Sequence, residues 1–514
     1  MTIVGGNPLS LTDFEAILFE GQQVELDTAG VERVRDSFEF LKQFSKDKII
    51  YGINTGFGPM APYQVPAAQQ KQLQLNLIRS HCSGSGNPIL TVAVKALMIA
   101  RLNTLLLGYS GIHESVVFLL RDFINNDITP VIYEHGSVGA SGDLVQLAHM
   151  ALALIGEGEV HYKGELRATA EVLKEVGLSP INIHMREGLG LMNGTSAMTG
   201  IGIINVILAQ NLLQYVLVAS CMLNEIVGSY DDHYSDGLND AKLHRGQQAV
   251  STHMRNILGD SKMIRKRHEH LYERVTEEDV IKDKVQEYYS LRCVPQILGP
   301  VWDAANNAME VLVNEVNSAN DNPIIDVKRQ NVFHGGNFHG DYVAYEMDKL
   351  KTGITKISML CERQLNFLLN DKLNQILPPF INHGKLGFNF GMQGVQFTAT
   401  STVAENQTIS FPMYVHSIPN NNDNQDIVSM GTNGALMTRK VIENSYEVLA
   451  IHFMGILQAI DYLKIADKMS SQTASYYFKL REIVSKFEQD TVKYPDIRKI
   501  KAYLLEHRIN LDKQ

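Results

Sequence analysis

From Gly188 to Asn224 the chain carries no charged side chain, and that stretch limits what the fold can be. Its second half, IGIINVILAQNLLQYVLVASCML, is long enough to span a bilayer. It also holds Asn205, Gln210, Asn211 and Gln214, and no lysine or arginine cluster flanks it. A helix apolar on most of its faces is what the centre of a large helical bundle needs. The expectation is a buried core helix and no membrane span.

Further long helices are written in the same half of the chain. Over 341–371, Val343, Met347, Leu350, Ile354, Ile357 and Cys361 step by three or four, and Leu365 and Leu368 continue the face. That stripe is about 40 Å long at 1.5 Å per residue. Tyr446, Leu449, Phe453, Ile456, Ile460 and Leu463 repeat the pattern, and 300–317 reads as another helix with Pro300 near its first turn. Strand signals are confined to KIIYGI (48–53) and PVIYE (130–134), so a doubly wound sheet is not expected. Helices this long pack side by side in bundles. The predicted fold is mainly α: a long-helix bundle in the C-terminal part behind a mixed, loop-rich N-terminal part.

Composition narrows the function. A net charge of −10, with one short basic run at KMIRKRHEHLYER (262–274), argues against nucleic acid as a partner. That run reads as a solvated loop or helix face. The four cysteines, Cys82, Cys221, Cys293 and Cys361, are scattered, which predicts a reducing, cytoplasmic setting, and the N-terminus lacks a signal-peptide pattern. No phosphate loop or HExxH stands in the sequence, and His334 and His339 lack a convincing ligand partner, so no metal is expected.

Glycine and asparagine cluster in four places: YGINTGFG (51–58), HGSVGASGD (135–143), GGNFHGD (335–341) and PNNNDNQD (419–426). In the second, Ala140-Ser141-Gly142 runs into LVQLAHMALALIG, a helix that Asp143 is placed to cap.

The loop HGSVGASGDL resembles the active-site signature of the aromatic amino acid ammonia-lyases, the histidine, tyrosine and phenylalanine ammonia-lyases and related aminomutases. In that family an Ala-Ser-Gly triad cyclises and loses two waters to give 4-methylideneimidazole-5-one, with no external cofactor. The residue types suit the chemistry: Gly142 offers an unhindered amide nitrogen to the Ala140 carbonyl, and Ser141 supplies the hydroxyl whose loss leaves a methylene. Other blocks of the family follow in order. YGINTGFG places Tyr51 as catalytic tyrosine, LIRSH (77–81) places His81 against the substrate ring, and GLMNGTSAMTG (190–200) places Asn193 on the prosthetic ring's oxygen. QEYYSLRCVPQ (286–296) supplies Gln286, Tyr289 and the carboxylate-binding Arg292. SANDNP (318–323), GGNFH (335–339) with Phe338, AENQ (404–407) with Glu405, and NNNDNQD (420–426) complete the set.

The resemblance implies a helical bundle of the fumarase/aspartase-like, ammonia-lyase type. It implies an N-terminal domain over 1–197 that carries the Tyr51 and Ala-Ser-Gly loops, and a helical domain over 198–514. It also implies a homotetramer with shared active sites, in which Tyr289 and Arg292 come from a neighbouring chain. The reaction implied is non-oxidative loss of ammonia from an aromatic L-amino acid, giving an α,β-unsaturated acid. Tyr51 would take the β-proton as phenolate, which calls for positive charge or donors around it. Arg292 would hold the substrate carboxylate in a bidentate fork. A histidine at 81 disfavours phenylalanine and leaves tyrosine and histidine open, since imidazole hydrogen-bonds either ring. The segment LGFNFGMQGVQFTATSTVAENQ (386–407) looks more like the tyrosine group, so 4-coumarate is the expected product and urocanate the alternative. An aminomutase would share the triad, and a silent scaffold protein would not mature it.

Overall fold

The computed structural model describes residues 1–273, 279–281 and 284–511. The last residue of the basic run, Arg274, lies outside them. Long helices dominate: Ser196–Val227, Val294–Val316, Asp341–Leu369 and Gly431–Leu463. The charge-free stretch forms the first of these, and 89% of its most apolar window is buried inside the protein. Three of its side-chain amides find partners there. The Asn205 side-chain amide donates to the Ala435 carbonyl (2.7 Å), Asn211 donates to the Leu504 carbonyl (2.8 Å), and Gln214 accepts from the Leu511 amide (2.8 Å). These amides fix the helix in one register against its neighbours.

The chain divides into two compact units, each discontinuous in sequence. One comprises Met1–Val206, Asn307–Asp348 and Pro412–Thr438, and the other Ile207–Asn306, Lys349–Phe411 and Arg439–Gln514. In the second, the predicted stripe residues Tyr446, Leu449, Phe453, Ile456 and Ile460 are fully buried. Each apolar side chain so buried contributes about 2 kcal/mol of transfer free energy.

The first unit mixes helices with small sheets. Thr2–Val4 pairs in parallel with Val24–Leu26, and Glu159–Tyr162 pairs antiparallel with Glu165–Ala168 and Thr129–Pro130. Ser85–Pro88 meets Tyr133–His135, and Ile324–Asp326 meets Asn331–Phe333. The expected strand at PVIYE is thus split between two short pairings. The expected strand at KIIYGI does not form. Ile50 and Ile53 are buried in a cluster with Leu41, Ile325 and Val332, as an inward-facing strand would bury them. However, Gly52 takes φ +75°, and the Asn54 side-chain oxygen accepts from the Ile50 amide (2.9 Å), which closes a turn.

Two other expectations are corrected. The helix predicted from Pro300 begins at Val294, so Pro300 lies inside it and removes one backbone donor. The basic run is not simply solvated. Arg267 and Arg265 stack on the Tyr230 ring, with guanidinium carbons 4.2 and 5.1 Å from its centroid, and Arg267 also pairs with Asp232 (2.5 Å).

Two arginines of the first unit are fully buried. Arg186 makes a bidentate pair with Asp321 (2.8 and 3.1 Å), both side chains being wholly inaccessible, and also donates to the Ser110 carbonyl. Arg101 donates to the Gly190 carbonyl and to Asn320 (3.3 Å), and burial pushes its guanidinium down to about 10. The SANDNP block therefore supplies the partners of two buried cations. Asp321→Ala strands Arg186 without a counter-charge and is expected to cost about 3–5 kcal/mol. Urea denaturation read by far-ultraviolet dichroism checks this, and an unchanged midpoint would remove Asp321 from the supports of the fold.

Candidate active site

The Ala-Ser-Gly loop is held from three directions within the first unit. The Gly139 carbonyl accepts from the Gly340 amide and from the Ser429 hydroxyl, each at 3.0 Å. The Val138 carbonyl accepts from the Met430 amide (3.0 Å), and the Asp143 amide donates to the Gly194 carbonyl (2.8 Å). Gly142 has φ +66°, and a Cβ there would lie 2.0 Å from the Gly194 carbonyl oxygen, so only glycine fits. Gly194 is equally constrained, with φ +151° and Arg101 where its side chain would be.

Asp143 does not cap the helix that follows it. Its side chain makes no bond to that helix's first turn, although the helix does start at Leu144. Instead, its fully buried carboxylate accepts from the Met198 amide (2.8 Å), in the first turn of Ser196–Val227, and from the Ser137 (2.8 Å) and Thr432 (2.5 Å) hydroxyls. Burial raises its proton affinity, and these donors partly offset that. The capping expectation was right about the chemistry and wrong about which helix receives it.

Tyr51, His81 and Ser141 line one cavity of about 540 Å³, together with Leu77, Leu144, Leu189 and the asparagine-rich loop. That volume suits a small-molecule ligand. The Tyr51 phenol oxygen accepts the Gly58 amide (3.0 Å), and its ring meets Phe57 edge-on. The Asn193 side-chain amide donates to the Ser141 carbonyl oxygen (3.0 Å) from a buried position. His81 ends the helix Gln70–His81, with Nδ1 lying 3.0 Å from the Leu77 carbonyl and 3.1 Å from the Ser80 hydroxyl. A carbonyl only accepts, so this partner assigns the proton to Nδ1 and leaves Nε2 as an acceptor. Burial holds the imidazole below its ordinary range, with the Leu77 bond opposing, so the ring is neutral at pH 7.

The cation expected beside Tyr51 is not supplied here: no lysine or arginine stands among the described residues that line the cavity. Phe338 is half-buried on the segment that ties to Gly139 through Gly340, and it does not line this cavity. The other expected residues belong to the second unit. Tyr289 and Arg292 form one short helical turn, with the guanidinium carbon 4.8 Å from the tyrosine ring. Tyr289 is 71% exposed, and Gln286 is exposed too. Glu405, also exposed, accepts from the Asn444 amide (2.6 Å) and lies 3.7 Å from the Lys440 ammonium.

Gln425 was not singled out from the sequence. Its side-chain amide donates to the Ser141 hydroxyl (2.9 Å). The signal was its block: Asn421, Asn422 and Asp423 all adopt left-handed φ (+55° to +58°), a conformation that asparagine and aspartate tolerate. The run of asparagines therefore encodes a tight turn that presents Gln425.

The triad residues fit self-condensation. Ala140 and Gly142 are buried and strictly positioned, the Ser141 hydroxyl reaches the cavity, and Asn193 already holds the carbonyl that would become the ring oxygen.

A family model described as aromatic amino acid lyase matches residues 9–482. The chain is 38% identical over 511 residues to tyrosine 2,3-aminomutase of Chondromyces crocatus, covering 98% of this chain and 96% of that one. It is 38% identical over 515 residues to histidine ammonia-lyase of Bacillus cytotoxicus, covering 100% and 99%. Its fold matches the crystal structure of tyrosine aminomutase from Streptomyces globisporus with a TM-score of 0.94 at 34% identity, covering 98% and 96%.

Asp143→Ala removes the acceptor of one amide and two hydroxyls. It is expected to cost about 3 kcal/mol or more and to diminish the near-ultraviolet band of the matured triad. A variant that matches the parent in both urea midpoint and absorbance would refute this role.

Proposed function

This chain belongs to the aromatic amino acid lyase family, and from that premise we propose that it eliminates ammonia from L-tyrosine to give trans-4-coumarate. The observation that carries the choice of ring is the fixed tautomer of His81. Its Nε2 is a neutral acceptor on a cavity without described lysine or arginine, and a phenol O–H satisfies it with one bond. Phenylalanine leaves it unpaired, which is a strong penalty in a desolvated site. The similarity to tyrosine aminomutases points to the same ring. Histidine, giving urocanate, is the second reading. Its imidazole N–H also reaches an acceptor, and a histidine ammonia-lyase is as similar to this chain.

Family members use 4-methylideneimidazole-5-one, formed autocatalytically from the triad, and here Ala140-Ser141-Gly142 would supply this electrophile, which turns the substrate amine into a leaving group. The rest of the work falls to side chains. Tyr51 takes the β-proton, and the Gly58 amide donates to the phenolate oxygen that this requires. Asn193 donates to the Ser141 carbonyl oxygen and so stabilises charge that develops there. Gln425 orients the Ser141 hydroxyl before its loss as water. In this proposal Arg292 grips the substrate carboxylate and Tyr289 stands beside it, both from a neighbouring copy in a homotetramer, and they bring the cation that the Tyr51 cavity lacks. Gln286, Phe338 and Glu405 complete the contacts to substrate. Loss of the β-proton and of ammonia balances to the α,β-unsaturated acid. Re-addition of ammonia at the β-carbon would give β-tyrosine instead, the outcome favoured by the aminomutase likeness.

Purified protein incubated separately with L-tyrosine, L-histidine and L-phenylalanine, with Ser141→Ala as control, tests the reading by ultraviolet absorbance and chromatography of the products. The expected result is 4-coumarate, absent from the control. Dominant urocanate or β-tyrosine would overturn the proposal in favour of the respective alternative. His81→Phe is expected to lower the tyrosine-to-phenylalanine ratio of kcat/KM by about 100-fold or more. An unchanged ratio would show that this imidazole does not read the ring.

A further inference from the structure

The second unit contains a cleft of about 620 Å³, lined by none of the residues of the Tyr51 cavity. Its apolar surface comes from Phe390, Val395, Tyr494 and Ile497, and its charges are Glu447, Asp490, Lys493, Arg498 and Lys501. The acids are already occupied. Glu447 pairs with the Lys501 ammonium (3.2 Å). Asp490 accepts the backbone amides of Phe390 (3.0 Å) and Gly391 (3.1 Å) and the Asn389 side-chain amide (3.4 Å).

Two cations are left over. The Lys493 ammonium is folded back over the Phe487 ring, 2.9 Å from its centroid, and donates to the Thr491 hydroxyl (2.6 Å). The Arg498 guanidinium stacks on Tyr494, its central carbon 5.0 Å from the ring centroid. Neither makes an ion pair with a carboxylate among the described residues. A half-open cleft with aromatic side chains and two cations that make no ion pair among the described residues is complementary to an anion with a flat apolar body.

We propose that this cleft is a second small-molecule site, for an aromatic monocarboxylate whose carboxyl group bridges Lys493 and Arg498 and whose ring lies against Phe390 and Tyr494. The ligand needs no chemistry from the site, and binding is reversible. It would let a soluble aromatic acid act on the protein away from the cavity that bears Ser141.

The half-buried position of Lys493 gives the site a pH signature. Burial lowers its ammonium to about 8, against the opposing pull of Asp496 and Asp490 and with the help of Arg481. The other charges facing it are Arg498 and the Glu447–Lys501 pair. Below pH 8 the ammonium is charged and holds the carboxylate. As the pH rises from 7 to 9 the charge is lost, while an aromatic carboxylate stays ionised throughout.

Equilibrium dialysis of trans-cinnamate against the full-length protein tests the proposal, with Lys493→Met/Arg498→Gln as the variant and cinnamamide as the uncharged probe. The double variant is expected to lose one cinnamate site per chain while its kcat on the preferred amino acid stays within twofold of the parent, which also shows that it folds. Cinnamamide should occupy that site at least tenfold more weakly, and cinnamate affinity there should fall about fivefold from pH 7 to 9. Equal stoichiometry and affinity in parent and double variant would overturn the proposal. So would equal affinity for the acid and the amide, or the absence of any cinnamate site beyond the one retained in the variant.

Discussion

The carboxylate of Asp143 is the point on which the order of the catalytic unit depends. It is wholly buried, and an ionised carboxylate in such a place is tolerable only if donors surround it. The donors come from the Ser137 hydroxyl, the first turn of the Ser196–Val227 helix and Thr432 at the start of the Gly431–Leu463 helix. Both helix starts present unsatisfied amides and a positive dipole end to the same region. Desolvation of one acid therefore fixes the triad loop against the two longest helices of the chain.

A second consequence concerns the buried cations. Arg101 and Arg186 are fully buried, and the missing side chain of Gly194 leaves Arg101 its room. Asn320 and Asp321 answer them. Asn320 also donates to the Thr195 hydroxyl (2.8 Å), and the adjacent Gly194 carbonyl accepts the Asp143 amide (2.8 Å), so the arginines and the triad-side acid meet on one stretch of chain.

How far the sequence could be read depends on the range of the interaction. The stripes at 341–371 and 446–463 have a period of three to four, which depends only on neighbouring turns, and both lie in helices, although the second helix begins at Gly431, well before its stripe. The triad, Tyr51, His81 and Asn193 were likewise marked by short blocks, and the fold draws Tyr51, His81 and Ser141 to one cavity with Asn193 bonded to the serine carbonyl. What failed was decided by distant partners or by turns that apolarity does not mark. Ile50 and Ile53 have the apolarity of a strand, but the left-handed Gly52 and the Asn54 side chain close a turn there. Asp143 stood at the correct place to cap one helix and was claimed by another more than 50 residues away. Gln425 was hidden because its identity mattered less to the pattern than the left-handed turn that delivers it.

The interlock of Gly142 with Gly194 sets the order of events in the life of the chain. Ser141 is contacted by Asn193 and by Gln425, which lies 284 residues further along, and the loop around it is tied to residues 340 and 430. The last of these neighbours, Gln425 and Met430, are not present until most of the polypeptide has been made and has collapsed. Backbone cyclisation that relies on such compression can only follow tertiary assembly, never guide it. The chromophore then serves as a record written by the molecule on itself: a chain that bears it has reached its native arrangement at least once.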